Sequence, residues 1–263
     1  MARGPNVSLN PDEVPDLPAL AAIPTDTSTR KTGGERSDNF SRGWTAAELM
    51  CTDFPEPRWA VRGFFPEGAT LLAGESKIGK SWMGLGLSIA VASGGRAFGH
   101  IPVEAGRVLY IGFEDNPRRM RSRLSRLLED QPAPERLHIY HEWPKLGLPE
   151  SSEKSGIDWL NAWMRKYPDT RLVVVDTFKL IRPNRKRHGN IYDEDYEDSH
   201  ALQQFAGRAG VALLGIHHTN QGRHEDDPFH AISGSEGLNA GFDTIAVLRR
   251  SATSSAGSLN IRG

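Results

Sequence analysis

The chain has 263 residues and a balanced charge, 32 Lys and Arg against 33 Asp and Glu, so no global basic field draws it to nucleic acid or membrane. That length allows one large domain or two small ones. The single cysteine, Cys51, excludes an internal disulfide, and no N-terminal apolar segment or run of 18 apolar residues reads as a leader or a span. A soluble, cytoplasmic protein with no membrane partner is expected.

Residues 1–43 are rich in Pro, Ser, Thr, Asp and Gly, with Phe40 as their only aromatic. They bury too little apolar surface to offset ordering entropy, so a disordered N-terminal tail is expected there. Structure is expected from Trp44, with Thr45 and Glu48 spaced as a capping box for a short helix over Ala46 to Met50. Phe54 to Trp59 reads as extended, and Phe64 to Gly68 as a turn into the first core strand.

The stretch Ala69 to Ala92 carries the strongest signal. An apolar run, Ala69 to Ala73, enters Gly74-Glu75-Ser76-Lys77-Ile78-Gly79-Lys80-Ser81, and a helix-like segment containing Trp82, Met83, Leu85 and Leu87 follows. The spacing G-x-x-x-x-G-K-S between a strand and a helix is a phosphate-cradling P-loop. Glycines let successive N–H groups turn toward an anion, and the helix offers its unsatisfied donors. Residues Gly74 to Trp82 are therefore the expected nucleotide contacts, with Lys80 on the β and γ oxygens and the Ser81 hydroxyl on Mg²⁺. Lys80 is expected to face solvent when no ligand is bound.

Gly94-Gly95 reads as the helix stop. Arg107 to Phe113 is a β-rich apolar run ending in Glu114-Asp115-Asn116-Pro117, followed by helical character over Arg118 to Leu128 with five arginines. Most of those arginines read as a solvated face, with one free to reach nucleotide or a neighbour. Leu137 to Tyr140 is a strand candidate. Ile157, Leu160, Trp163 and Met164 suit a helix before Pro168. Leu172 to Val175 is a strand ending in Asp176. A polar loop from Arg182 to about Asp193 precedes a helix through Leu202 and Phe205. Val211 to Ile216 is a buried strand ending in His217-His218, and Thr244 to Leu248 and Ser258 to Ile261 close the chain. Apolar strands alternating with helices indicate an α/β fold with a mostly parallel central sheet and helices on both faces. Ligands in such sheets bind beyond the carboxyl ends of the strands, which collects Gly74 to Ser81, Glu114, Asp176 and His217-His218 at one edge.

Each of these residues admits two readings. Asp176 either steers Mg²⁺ or caps the next segment. Glu114 either orients the attacking water and takes its proton or is an acid favoured at a helix N-terminus. His217 and His218 leave opposite faces of a strand, so one packs while the other faces the site, or both are buried. The basic loop containing Arg185, Lys186 and Arg187 either meets nucleic-acid phosphates or is solvated charge.

The combination AGESKIGKSW, VLYIGFED, LVVVDTF, His-His-Thr, the Ser-Gly-Ser segment at 233–235 and the strand Asp243-Thr-Ile-Ala-Val-Leu resembles the RecA-like ATPases of the RepA type. These are hexameric replicative helicases of plasmids, with phage and mobile-element relatives. The resemblance covers Trp44 to the end. It implies a RecA-like P-loop ATPase domain over 44–263, ATP and Mg²⁺ as ligands, and a homo-oligomeric ring around single-stranded DNA. It implies Lys80, Glu114 and His218 as catalytic residues, with His218 sensing the γ-phosphate, and Ser81 and Asp176 on the metal. Loops after Asp176 and His218 would face DNA. The sequence departs from that family in three places. Its members carry an arginine for the neighbouring subunit's ATP where this chain has Asn239-Ala240-Gly241, which leaves Arg249, Arg250 and Arg262 as substitutes. The basic residue after the histidines is Gln221. The chain stops at Gly263 just after a strand, so a fragment or a shortened member is expected. Two functions compete: a DNA-dependent ATPase motor, and a nucleotide-gated DNA-binding or assembly protein that uses ATP as a switch.

Overall fold

The architecture is set by strands that are apolar from end to end, and it is seen here in a computed structural model. Residues 43–147, 154–184, 190–219, 229, 236–250 and 256–263 are described. The expected tail, the Arg185–Arg187 segment, Gln221 and the Ser-Gly-Ser segment lie outside them. The chain divides into two compact units, Met1–Glu56 and Pro57–Gly263. In the first, helix α1 (Ala46–Cys51) is started by the expected capping box, the Thr45 hydroxyl accepting from the Glu48 N–H and Glu48 accepting from the Thr45 N–H at 2.7 Å.

The second unit opens with a small hairpin, β1 (Trp59–Val61) and β2 (Phe65–Pro66). Next come β3 (Gly68–Gly74), α2 (Lys80–Ser93) and a second short hairpin, β4 (Arg96–Ala97) with β5 (Ile101–Pro102). The chain continues through β6 (Arg107–Gly112), α3 (Pro117–Leu128), β7 (Leu137–Tyr140), α4 (Gly156–Lys166) and β8 (Thr170–Asp176). It ends with α5 (Phe178–Ile181), α6 (Ile191–Ala209), β9 (Ala212–His218), α7 (Glu236–Ala240), β10 (Thr244–Arg250) and β11 (Gly257–Arg262).

Seven strands form one sheet in the order β11-β10-β3-β9-β8-β6-β7. Every neighbouring pair is parallel except β10 with β11. Strand period two divides the core between the faces. Leu71, Ala73, Val173, Val175 and Leu213 pack against Leu160, Trp163, Phe178, Leu202 and Phe205 of α4, α5 and α6. Leu72, Tyr110, Val174 and Ile216 turn to the other face, against Leu85, Leu87, Val91 and Met120 of α2 and α3. Each fully buried aliphatic side chain contributes roughly 1.5–3 kcal/mol, so this double-sided burial dominates the fold.

The helix punctuation follows local chemistry. Gly94 ends α2 in the left-handed region. Asn116 caps α3 by accepting from the Arg119 N–H, with Pro117 in its first turn. Two expectations need correction. Helix α6 begins at Ile191, capped by the Asn190 side chain, so the polar loop ends before Asp193. Arg182 is not solvated loop charge: its Nε meets Asp198 at 2.7 Å and its Nη2 meets the fully buried Asp195 at 2.5 Å, tying the end of α5 to α6.

Candidate nucleotide-binding site

Register places the carboxyl ends of the central strands side by side. Gly74 at the end of β3 is level with Leu248 of β10 and with His218 of β9. Asp176 is level with Ile216 and with Gly112, two residues before Glu114. Gly74, Glu114, Asp176 and His218 thus share one sheet edge, as the sequence pattern predicts.

The loop from Gly74 to Ser81 is built for an anion. A Cβ on Gly74 would come within 2.7 Å of the Leu248 carbonyl oxygen, so the loop can leave the sheet here only with glycine. Gly79 has φ 112° and opens α2 with no side-chain cap, leaving the first-turn N–H groups for a ligand. Glu75, Ser76 and Lys77 are exposed, while Ile78, Gly79, Ser81 and Trp82 are half-buried. Arg123 of α3 sits over the Trp82 ring, 5.4 Å from its centroid, and pairs with the buried Asp115. So one of the five arginines leaves the solvated face and braces the helix that carries the P-loop.

Lys80 is only 4% exposed, against the expectation that it faces solvent. Its ammonium folds into the loop, donating to the Gly74 carbonyl at 2.8 Å and the Glu75 carbonyl at 2.7 Å. Burial pushes its pKa down to about 8, even though the Asp176, Glu114 and Glu75 charges oppose that fall. The site therefore holds a desolvated cation whose natural partner is a phosphate.

His217 and His218 divide their tasks as strand alternation requires. His217 is buried, with its ring edge-on to Phe178. His218 faces the site: Nδ1 lies 3.2 Å from Lys80 Nζ, and Nε2 lies 3.6 Å from Glu114 Oε1. Since Lys80 can only donate, His218 Nδ1 accepts and its proton sits on Nε2, pointing at Glu114. Glu114 also accepts from the Thr177 hydroxyl at 3.4 Å.

Asp176 is 4% exposed. Its Oδ2 accepts from the Tyr110 phenol at 2.6 Å, while its Oδ1 has no hydrogen-bond partner among the described residues. Burial raises the carboxyl above its ordinary range, and the Glu114 and Asp115 charges add to that. Tyr110 and the nearby Ser81 hydroxyl hold it down, although Ser81 closes no hydrogen bond to Oδ1. An unsatisfied buried carboxylate oxygen beside a hydroxyl and the mouth of a phosphate loop fits a hard divalent cation such as Mg²⁺. Tyr110 and Asp115 are site residues that sequence reasoning missed. An apolar run hides the first, and the second reads only as the end of a strand.

The substitutes for the missing arginine separate in space. Arg249 and Arg250 are exposed at the end of β10, on the P-loop edge. Arg262 is level with Ile245 near the start of β10, at the opposite end of the sheet, and its guanidinium lies 4.5 Å from the Phe229 ring centroid. Gly241 cannot be replaced by a longer residue in place, because a Cβ there would run into the Ser199 side chain of α6.

The profile of the AAA domain family matches residues 35–224. No curated protein sequence matches the chain. Among solved structures, a helicase-type ATPase domain is similar at 13% identity and a TM-score of 0.52, covering 70% of each chain. A DnaB-like replicative helicase, solved for its interactions with primase, is similar at 12% identity and a TM-score of 0.54. That match covers 75% of this chain and 55% of the helicase. At such identities the likeness is one of fold: a mostly parallel sheet of the RecA-like helicase ATPase type. No described helix is long and apolar enough to cross a membrane.

Proposed function

The chain belongs to the AAA domain family of P-loop ATPases, and from that premise we propose that it is a Mg²⁺-dependent, ATP-hydrolysing motor on single-stranded DNA, a RepA-type helicase or a related mobile-element ATPase. The observation that supports this reading best is the bridge from Lys80 through His218 to Glu114. It joins the phosphate-holding cation to the carboxylate that would act on water, through a side chain at the end of β9. A passive nucleotide-binding loop has no need of such a link.

The chain's own groups divide the work. N–H groups of the loop and of the first turn of α2 bind the phosphates. The Lys80 ammonium exchanges its two loop carbonyls for phosphate oxygens, a stronger, charge-assisted pairing. Glu114, half-exposed and oriented by Thr177 and His218, accepts the proton of the attacking water. Ser81 and Asp176 Oδ1 would hold Mg²⁺, whose charge offsets that of the β and γ oxygens. His218 feels the loss of the γ-phosphate through Lys80 and passes it to the segment after β9. In this reading the protein assembles as a homo-oligomeric ring, with Arg249 or Arg250 serving the adjacent subunit and the segment around Arg185, Lys186 and Arg187 meeting DNA phosphates.

A second reading is favoured by one observation: the family's arginine position is Gly241, packed on Ser199 with no room for a side chain. A weak hydrolase with ATP as a switch follows from that. Steady-state ATPase measurements with and without single-stranded DNA separate the two. The motor reading expects stimulation by DNA, and Glu114→Gln should retain nucleotide while turnover falls about 10²-fold or more. Turnover indifferent to DNA, with DNA binding that responds to ATP, would instead establish the switch.

A further inference from the structure

Tyr110 lies in the middle of β6, paired with Val174 of β8. Asp176 is two residues beyond Val174 on the same side of that strand, a diagonal neighbour that a long aromatic side chain can reach. The ring is fully buried. Its slot exists because two neighbours lack side chains. A Cβ on Gly112 would approach the ring to 2.9 Å, and one on Gly84 of α2 would lie 3.9 Å from it. Packing thus fixes the phenol in one direction, and the hydroxyl donates to Asp176 Oδ2 at 2.6 Å.

A carboxylate has two equivalent oxygens and can turn about its terminal bond. The Tyr110 bond removes that freedom, because Oδ2 is taken and Oδ1 alone remains without a partner among the described residues. From this geometry we infer that Tyr110 is a positioning residue, which fixes the Asp176 carboxylate so that Oδ1 is presented to the divalent cation beside Ser81. The inference rests on the reading of Asp176 as a cation-holding residue. Tyr110 touches neither nucleotide nor metal and acts only through Asp176. Burial and the adjacent Asp176 charge raise the phenol well above its usual range, so it remains a donor throughout the working range of pH. Groups that orient a metal-holding side chain commonly alter metal affinity about 10–100-fold when they are removed.

The test uses Mn²⁺ as a spectroscopic stand-in for Mg²⁺. Mn²⁺ binding to the full chain with ADP is followed by electron paramagnetic resonance, and ADP affinity is measured separately in EDTA. Tyr110→Phe keeps the ring in its slot and removes only the donor. The expected result is Mn²⁺ affinity weakened about 10–100-fold with ADP affinity in EDTA unchanged. In an Asp176→Asn background the same change should cost nothing further. Replacing Tyr110 with 4-aminophenylalanine restores a donor at the same place and should restore Mn²⁺ affinity. A Tyr110→Phe protein that melts earlier but binds Mn²⁺ like the wild type overturns the inference, as does an equal loss in the Asp176→Asn background. Should the Phe variant not fold, the 4-aminophenylalanine protein decides: wild-type Mn²⁺ affinity supports the inference and a loss overturns it. Failure of the underlying reading looks different, since Asp176→Asn would then leave Mn²⁺ binding by the ADP complex unaltered.

Discussion

Replacing Lys80 with methionine should destroy nucleotide-dependent activity and, at the same time, stabilise the empty protein. The ammonium is almost wholly removed from water, and its pKa has fallen from 10.5 to about 8. At about 1.36 kcal/mol per pH unit, that gap amounts to roughly 3 kcal/mol against folding, or about 1–3 kcal/mol once water at the loop mouth is allowed for. Methionine keeps the length of the stem and drops the charge. Few acceptors are stranded. The Gly74 carbonyl keeps the Thr219 N–H at 3.0 Å, Glu75 is open to water, and His218 is more than one-third exposed. The sign in pH follows from linkage. Below about 8 the lysine is charged whether the chain is folded or not, and the folded state bears the full cost. Between about 8 and 10.5 the unfolded chain holds a proton that the folded chain has lost, so wild-type stability gains on the variant as pH rises. Urea unfolding of nucleotide-free protein at about pH 7 and about pH 10 should show the methionine variant ahead by about 1–3 kcal/mol, with the lead shrinking at the higher pH. A variant that is less stable at neutral pH, or a gap that ignores pH, would refute a costly buried ammonium. Wild-type nucleotide binding should also take up protons at mildly alkaline pH, visible as a buffer-dependent heat of binding.

Arg182→Met should be far more damaging than a surface charge deletion, because it leaves the fully buried Asp195 and the nearby Asp198 without their cation. A loss of about 3–5 kcal/mol in denaturant unfolding is expected, and a loss under about 1 kcal/mol would mean that the triad is held by something else. Gly241→Ala should lower stability by about 1–3 kcal/mol, since its methyl group would collide with the Ser199 side chain; an unchanged melting curve would show that α6 and α7 can move apart freely.

Most of the scaffold is legible in the sequence because it rests on runs with a clear period. Leu172 to Val175, Val211 to Ile216 and Thr244 to Leu248 are apolar throughout, and they form strands of the parallel sheet. The alternation rule by itself assigns one face to each of His217 and His218. What escapes a sequence is two-body chemistry. Nothing local distinguishes Tyr110 from Leu109 or Ile111; its role depends on a carboxylate 66 residues away. Arg182 looks like the base of a polar loop until α6 turns Asp195 and Asp198 inward on one helical face. Lys80 reads as solvent-facing because composition cannot show that a loop with no phosphate will supply carbonyl oxygens instead. The hairpins β1–β2 and β4–β5 have strands of two or three residues, too short for a period to register.

The P-loop strand is made early and paired late. Strand β3 lies between β9 and β10, and Ala69 meets its β9 partner, Leu213, about 140 residues further along the chain. At roughly 5–20 residues per second, the ribosome needs on the order of 10–30 s to supply that partner. Throughout that interval the glycine loop has no wall on either side, and an apolar strand with two open edges is exposed to whatever else is nearby. Nucleotide cannot assist this stage of folding, because the pocket that would bind it does not exist until the second half of the chain has arrived. The same central position that gives Gly74 neighbours in β9 and β10 makes the newborn chain depend on a helper or on speed.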